Sequence, residues 1–314
     1  MSFPAIHTMP LLRPNITKLL PAALAAVLLL AACLDDGNEA RAVSVVATTS
    51  IVADWARNVG GDRVSVFSLL GPGDDPHGVS PGAQDVRRVA DADLVLSVGL
   101  DLEADWLEKL IANASADPSR TVALGEVIDP LRSHDDGIAP DPHFWFDPLR
   151  VKLAVSEISA RLSAVDPDGA EVYRANATAY DARLDELHAW IQEQVAWIPP
   201  QRRSLLTSHE SLGYLADRYG FEIVGAVIPG ITTEAEPSAK EITGLVDAIL
   251  ERRVAAVFIE PSVSDRLARM VAEESGVTVV RHLYTGSLGG PGSGAATYIE
   301  MMRANVETIV QALG

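Results

Sequence analysis

Cysteine is almost missing from this chain: Cys33 is the only one in 314 residues. No disulfide can therefore form within it, and chemistry that needs paired thiols is excluded. Positive charge is scarce as well, with 25 Lys plus Arg against 43 Asp plus Glu and a formal charge of -18. Such a field repels nucleic acid and anionic lipid and weakly concentrates cations, so a nucleic-acid partner is not expected. Beyond residue 32 no apolar run is long enough to cross a bilayer, and neither a heptad pattern nor a solenoid repeat is present. Aromatic residues make up only 5%, which makes the run Phe144-Trp145-Phe146 conspicuous. What is abundant is ordinary apolar content, 48%, enough to supply a core for each of two domains.

The first residues carry a processing signal. Arg13 and Lys18 precede an apolar run from Leu19 to Ala32 that contains Pro21 and ends Leu30-Ala31-Ala32-Cys33. The run is too short to span a membrane comfortably, and it fits the apolar region of a secretory leader over residues 1–32. A lone cysteine directly after small residues suits thiol lipidation, so Cys33 is expected to anchor the mature chain to a membrane. Residues 33–42 are polar and read as a tether.

From residue 43 strands and helices alternate. The β-branched run from Val43 to Thr49 predicts a strand, with Ser50 placed to cap the helix that follows. Further strands are expected at 63–70, 94–98 and 121–124, and Ser80-Pro81 reads as a helix start with proline in the first turn. A long amphipathic pattern covers 169–198, with Val172, Tyr180, Leu184, Leu187, Ile191, Val195 and Ile198 at steps of mostly three and four, and Pro199-Pro200 stops it. Strands then recur at 204–207, 221–227, 254–259 and 277–282. Ser238 and Glu241 stand at capping-box spacing, and a helix closes the chain from Tyr298 to Leu313. The fold class expected is α/β, two doubly wound lobes (43–168 and 201–314) joined by one long connecting helix (169–200).

In such sheets ligands sit beyond the carboxyl ends of the strands. His77 and His209 each follow a predicted strand, and His143 lies in Asp141-Pro142-His143-Phe-Trp-Phe-Asp147-Pro148, where two prolines restrict the backbone on both sides. Three neutral imidazoles meeting in a cleft between the lobes suit Zn(II), and Mn(II) if carboxylates join. His7 leaves with the leader, His188 and His282 read as surface or packing residues, and His134 lies in a solvated acidic loop. A hydrolase using a zinc-bound water with Glu260 as base is a competing reading. It is disfavoured because Gly213 stands where a zinc-protease helix would carry a second histidine after His209-Glu210. A receptor for an organic or chelated ligand, with the histidines as hydrogen-bonding groups, is the other alternative.

The ordered set His77, Asp-Pro-His143-Phe-Trp-Phe-Asp-Pro, Ser-His209-Glu-Ser-Leu-Gly-Tyr, Glu-Pro-Ser-Ala-Lys-Glu-Ile, Phe-Ile-Glu260-Pro and Leu-Tyr-Thr-Gly286-Ser-Leu-Gly resembles the zinc/manganese solute-binding lipoproteins of bacterial metal ABC importers. The resemblance spans the whole mature chain. It implies a monomer held outside the cytoplasm by the lipid at Cys33, with an ABC permease and ATPase complex as partner, Zn(II) or Mn(II) as cargo and no enzymatic activity. It also implies His77, His143 and His209 as metal ligands. Family members commonly carry Asp where this chain has Gly286. The fourth position is then left to water, with Glu260 behind or occasionally on the metal, or to Asp74 or Asp75. Loss of a carboxylate favours zinc over manganese.

Overall fold

The computed structural model describes Met1 and residues 41–133, 137–233, 235–260 and 265–314. The leader, Cys33, most of the tether and His134 lie outside the described residues. The compact unit Ala42–Gly314 contains two parallel four-stranded sheets. The first is built from β1 (Val43–Ala47), β2 (Val64–Ser68), β3 (Leu94–Ser97) and β4 (Thr121–Ala123) in the order β2-β1-β3-β4. The second, from β5 (Ser204–Thr207), β6 (Glu222–Ala226), β7 (Ala256–Ile259) and β8 (Thr278–Arg281), repeats that order as β6-β5-β7-β8. The central strands β1, β3, β5 and β7 are short apolar runs that are almost wholly buried, as strands covered on both faces by helices must be.

The helices are α1 (Ser50–Gly60), α2 (Ala83–Asp91), α3 (Ala104–Ala114), α4 (Pro148–Val165), α5 (Ala170–Val195), α6 (Gly213–Tyr219), α7 (Ala239–Arg252), α8 (Arg266–Ser275) and α9 (Tyr298–Leu313). None of the described helices is long and apolar enough to cross a membrane. The long α5, about 39 Å at 1.5 Å per residue, packs on α4 and α1 on one side and on α9 and α6 on the other. One hydrophobic cluster runs unbroken from β1 and α1 through Phe144, Trp145 and Phe146 and along α5 to Leu205, Phe258 and α9. The two sheets therefore share a core, and the segment carrying His143 lies inside it.

Several local expectations shift. Thr49, not Ser50, caps α1 by accepting from Val52 N at 3.2 Å, which frees Ser50 Oγ to accept from Leu288 N at 2.9 Å. The first helical turn of α2 begins after Ser80-Pro81, because Asp85 reaches back to the backbone N–H of Gly82. The capping box of Ser238 and Glu241 forms at the start of α7. α8 is an added element, and it buries only Ala268, Val271 and Ala272. On α5 the buried stripe is Tyr173, Ala177, Tyr180, Leu184, Leu187, Ile191 and Val195, whereas Val172 is 42% exposed. Leu187→Ala should therefore destabilise the chain by about 2–5 kcal/mol and Val172→Ala by no more than about 0.5 kcal/mol, read from the midpoints of urea unfolding curves.

Candidate metal centre

His209 comes two residues after β5 and Glu260 one residue after β7, at the carboxyl ends of the two central strands of the second sheet. Strand order reverses between β5 and β7, the crevice where doubly wound sheets bind ligands. The ring of His209 points its Nδ1 at Glu260 Oε1, 2.5 Å away. Its other nitrogen, Nε2, faces His143 Nε2 from the first lobe at 3.2 Å.

His143 is fixed by its own segment. Asp141 Oδ1 accepts both the backbone N–H of His143 at 2.9 Å and its ring Nδ1 at 2.8 Å. That double contact sets the backbone turn and the ring orientation together. Asp141 is held in turn by Tyr214, whose hydroxyl donates to its carbonyl at 2.7 Å. Gly213 permits this approach, since a Cβ there would lie 2.7 Å from Asp141 Oδ2. Trp145 lies edge-on to His143 with centroids 5.1 Å apart.

His77 is the third member. It ends a tight loop in which Asp75 accepts its backbone N–H at 3.0 Å and Trp106 Nε1 donates to the Pro76 carbonyl at 3.1 Å. Its ring centroid is 5.4 Å from both His143 and His209, and one ligand nitrogen from each of the three rings can be chosen so that all lie within 4.8 Å of one another. His77 Nε2 is buried with no hydrogen-bond partner. A cavity of about 580 Å³, walled by Ser80, Pro81, Trp106 and Lys109 among others, opens beside it.

The geometry fits one metal ion. Two imidazole nitrogens at Zn–N distances near 2.05 Å and a tetrahedral angle stand about 3.3 Å apart, and the His143–His209 separation is 3.2 Å. Carboxylates behind both rings direct each Nε2 lone pair inward, the arrangement usual around metal-bound histidines. The unpartnered Nε2 of His77 would supply a third donor.

None of the carboxylates considered as a fourth ligand joins this group among the described residues. Glu260 stands behind His209, with Oε1 on the ring and Oε2 accepting from the Thr285 hydroxyl. Asp75 is engaged by His77 N and by Thr233 Oγ1, and Asp74 accepts from Gly71 N. His188 packs against the Tyr219 hydroxyl at 3.0 Å, and His282 is an exposed residue with φ of 70° that turns the chain out of β8.

The three rings differ in proton affinity. Burial, together with the neighbouring imidazoles, lowers His77 to about 3, and burial likewise pushes His143 well below the ordinary range. Burial, the largest single influence, would lower His209 too, but the carboxylates of Glu260, Asp75 and Asp141 together outweigh it and the net shift is upward. Burial lifts Asp141 to about 7, opposed by the N–H of His143 and the charge on His209, and a cation at His143 Nε2 would favour its ionised, accepting form.

The family model for the zinc-uptake complex component A, periplasmic (ZnuA), matches residues 45–312. The chain belongs to the ZnuA family. This family comprises the substrate-binding components of metal transporters, not enzymes. Among its relatives, the manganese-binding lipoprotein MntA of Halalkalibacterium halodurans is 37% identical over 277 residues, covering 88% of this chain and 90% of the relative. MntA of Bacillus subtilis is also 37% identical, over 86% and 90% of the two chains. The periplasmic zinc-binding protein TroA of Treponema pallidum superposes with a TM-score of 0.80 at 30% identity, over 87% of this chain and 99% of TroA. The two parallel-sheet α/β lobes of this chain are thus a fold shared with TroA.

A metal must displace whatever proton sits at the site. With His209 raised and His77 and His143 lowered, His209 is the ring a proton occupies most readily, so among the three rings acidification should oppose metal binding first through His209. The logarithm of Zn(II) affinity is expected to fall by at least about one unit per pH unit, with an onset above the ordinary imidazole value of about 6.5 because His209 is raised. Competition titrations between pH 7.5 and 5 measure the slope, and a slope near three would mean that all three rings compete.

Proposed function

We propose that this chain captures one divalent transition-metal ion as cargo outside the cytoplasm and hands it to the permease of an ABC importer driven by its ATPase. His77, His143 and His209 are the ligands, and Glu260 is the carboxylate partner of His209. The observation that carries the reading is the 3.2 Å approach of His143 and His209 Nε2, each ring backed by a buried carboxylate. Family membership and the transporter names of the relatives support the partner assignment.

Zn(II) is the favoured cargo and Mn(II) the next. The support is the donor set: three imidazoles without a carboxylate suit zinc better than manganese, which prefers oxygen ligands. The manganese names of MntA in two organisms weigh on the other side, which makes the choice of metal the point to test. Lipidation of Cys33 would tether a monomer to the membrane surface, a reading supported by the Leu-Ala-Ala-Cys motif and by the lipoprotein names of the relatives. Residues 43–168 and 201–314 then serve as the two jaws and 169–200 as the spine between them.

Equilibrium dialysis of the chain from Cys33 onward should give one tightly held Zn(II) per molecule, retained against excess Mn(II). Replacing His77, His143 and His209 together by Ala should abolish it. Unchanged stoichiometry in the triple variant would remove the ligand assignment, and displacement of zinc by manganese would reverse the preference.

A further inference from the structure

Thr285 lies between the supports of two facing histidines and is hydrogen-bonded to neither ring. Its hydroxyl donates to Glu260, the carboxylate that engages His209 Nδ1. Its backbone carbonyl accepts the indole N–H of Trp145 at 2.8 Å, and that indole packs edge-on against His143. One residue thus joins the group behind a second-lobe ring to the group beside a first-lobe ring. Thr285 is only 1% exposed, so water offers neither of its polar groups an alternative partner.

The chain that follows it is fastened to the first lobe. Ser287 Oγ accepts from Gly73 N at 2.9 Å, Leu288 N donates to Ser50 Oγ at 2.9 Å, and Tyr298 donates its hydroxyl to the Trp145 carbonyl at 2.6 Å. Thr285 is therefore held from the first lobe while it holds a carboxylate of the second.

We infer that Thr285 is a positioning residue for metal capture, fixing Glu260 and, through it, the ring of His209 in register with His143 across the lobes. The inference rests on the proposed ligand role of those two histidines. A glutamate carboxylate rotates freely about its last torsion. With Oε2 pinned by the threonine hydroxyl, Oε1 is kept toward Nδ1, and Nε2 points where His143 Nε2 points. Without the hydroxyl, an acceptor in a dry site loses its donor and the carboxylate can swivel, taking the imidazole with it. Changes to groups of this kind around metal sites weaken affinity about 10- to 100-fold.

Thr285→Val keeps the shape and removes only the hydroxyl. Competition against a chromophoric chelator should show Zn(II) affinity falling at least about tenfold in this variant and recovering in Thr285→Ser. The visible absorption bands of the Co(II)-loaded protein should shift in the valine variant and return in the serine one, a change that packing alone would not produce. Combined with Trp145→Phe, the loss should be smaller than the product of the two single losses, because both act through one linkage. Thr285→Ala gives the same reading if the valine variant does not fold. A wild-type chain that binds no Zn(II) would overturn the ligand reading itself. A wild-type chain that binds it while the Thr285 variants bind equally well, with an unchanged cobalt spectrum, would overturn this inference alone, and independent effects of Thr285→Val and Trp145→Phe would overturn its cross-lobe part.

Discussion

Two imidazole nitrogens from different lobes face each other at 3.2 Å in a place that water does not reach. With each Nδ1 directed at a carboxylate, both Nε2 atoms would present lone pairs to the gap, and two facing lone pairs repel. Something positive has to lie between them. A proton on His209 would meet that need, in keeping with its raised proton affinity and the lowered one of His143. A divalent cation would meet it better, because it could also use the unpartnered nitrogen of His77. Much of the surrounding structure can be understood as the means of holding these rings in a position they would not adopt in water.

The two sheets have the same strand order, yet they use the switch point differently. In the first lobe Thr48, just past β1, donates its hydroxyl to Glu103, and the same carboxylate accepts the backbone N–H groups of Val98 and Gly99 past β3. That carboxylate is satisfied within its own lobe. In the second lobe His209 and Glu260 stand just past the two central strands, and there the carboxylate faces an imidazole and a threonine. The same strand order thus carries a structural tie in one lobe and, in the other, the support of a proposed ligand. Donor chemistry at the strand ends makes the difference, and the topology alone does not predict it.

Central strands were legible because buried parallel strands must be continuous apolar runs, and Pro199-Pro200 marked the end of the long helix by removing backbone donors. The three histidines were legible because each follows or sits within a segment that leads to the carboxyl edge of a sheet. Other features depend on partners far away in sequence. Thr49 and Ser50 are equally good caps, and only the contact with Leu288 decides which one serves. Val172 and Tyr173 are adjacent apolar residues, and the phase of α5 is set by what α4 and α1 offer it. Helix α8 buries two alanines and a valine, too little apolar surface to stand out as a stripe. Thr285 carries no local signal, since its partners lie 25 and 140 positions away.

The glycine that replaces a carboxylate residue in the resemblance also has a structural consequence. A Cβ on Gly286 would lie 2.7 Å from Pro76 Cδ and 3.2 Å from Cγ, so the bare backbone is what allows the loop before His77 to come this close. That loop has little freedom to withdraw. Trp106 holds the Pro76 carbonyl, Thr233 holds Asp75, and Ser287 holds Gly73. A side chain at 286 would have to displace Pro76 and, with it, the adjacent His77. The missing carboxylate and the close approach of the third imidazole are therefore one arrangement: space that a fourth protein ligand would occupy is taken by the proline ring that carries His77 into the group. The proposed donor set is then nitrogen alone, and the preference among metals proposed for it would follow from that packing as much as from the histidines themselves.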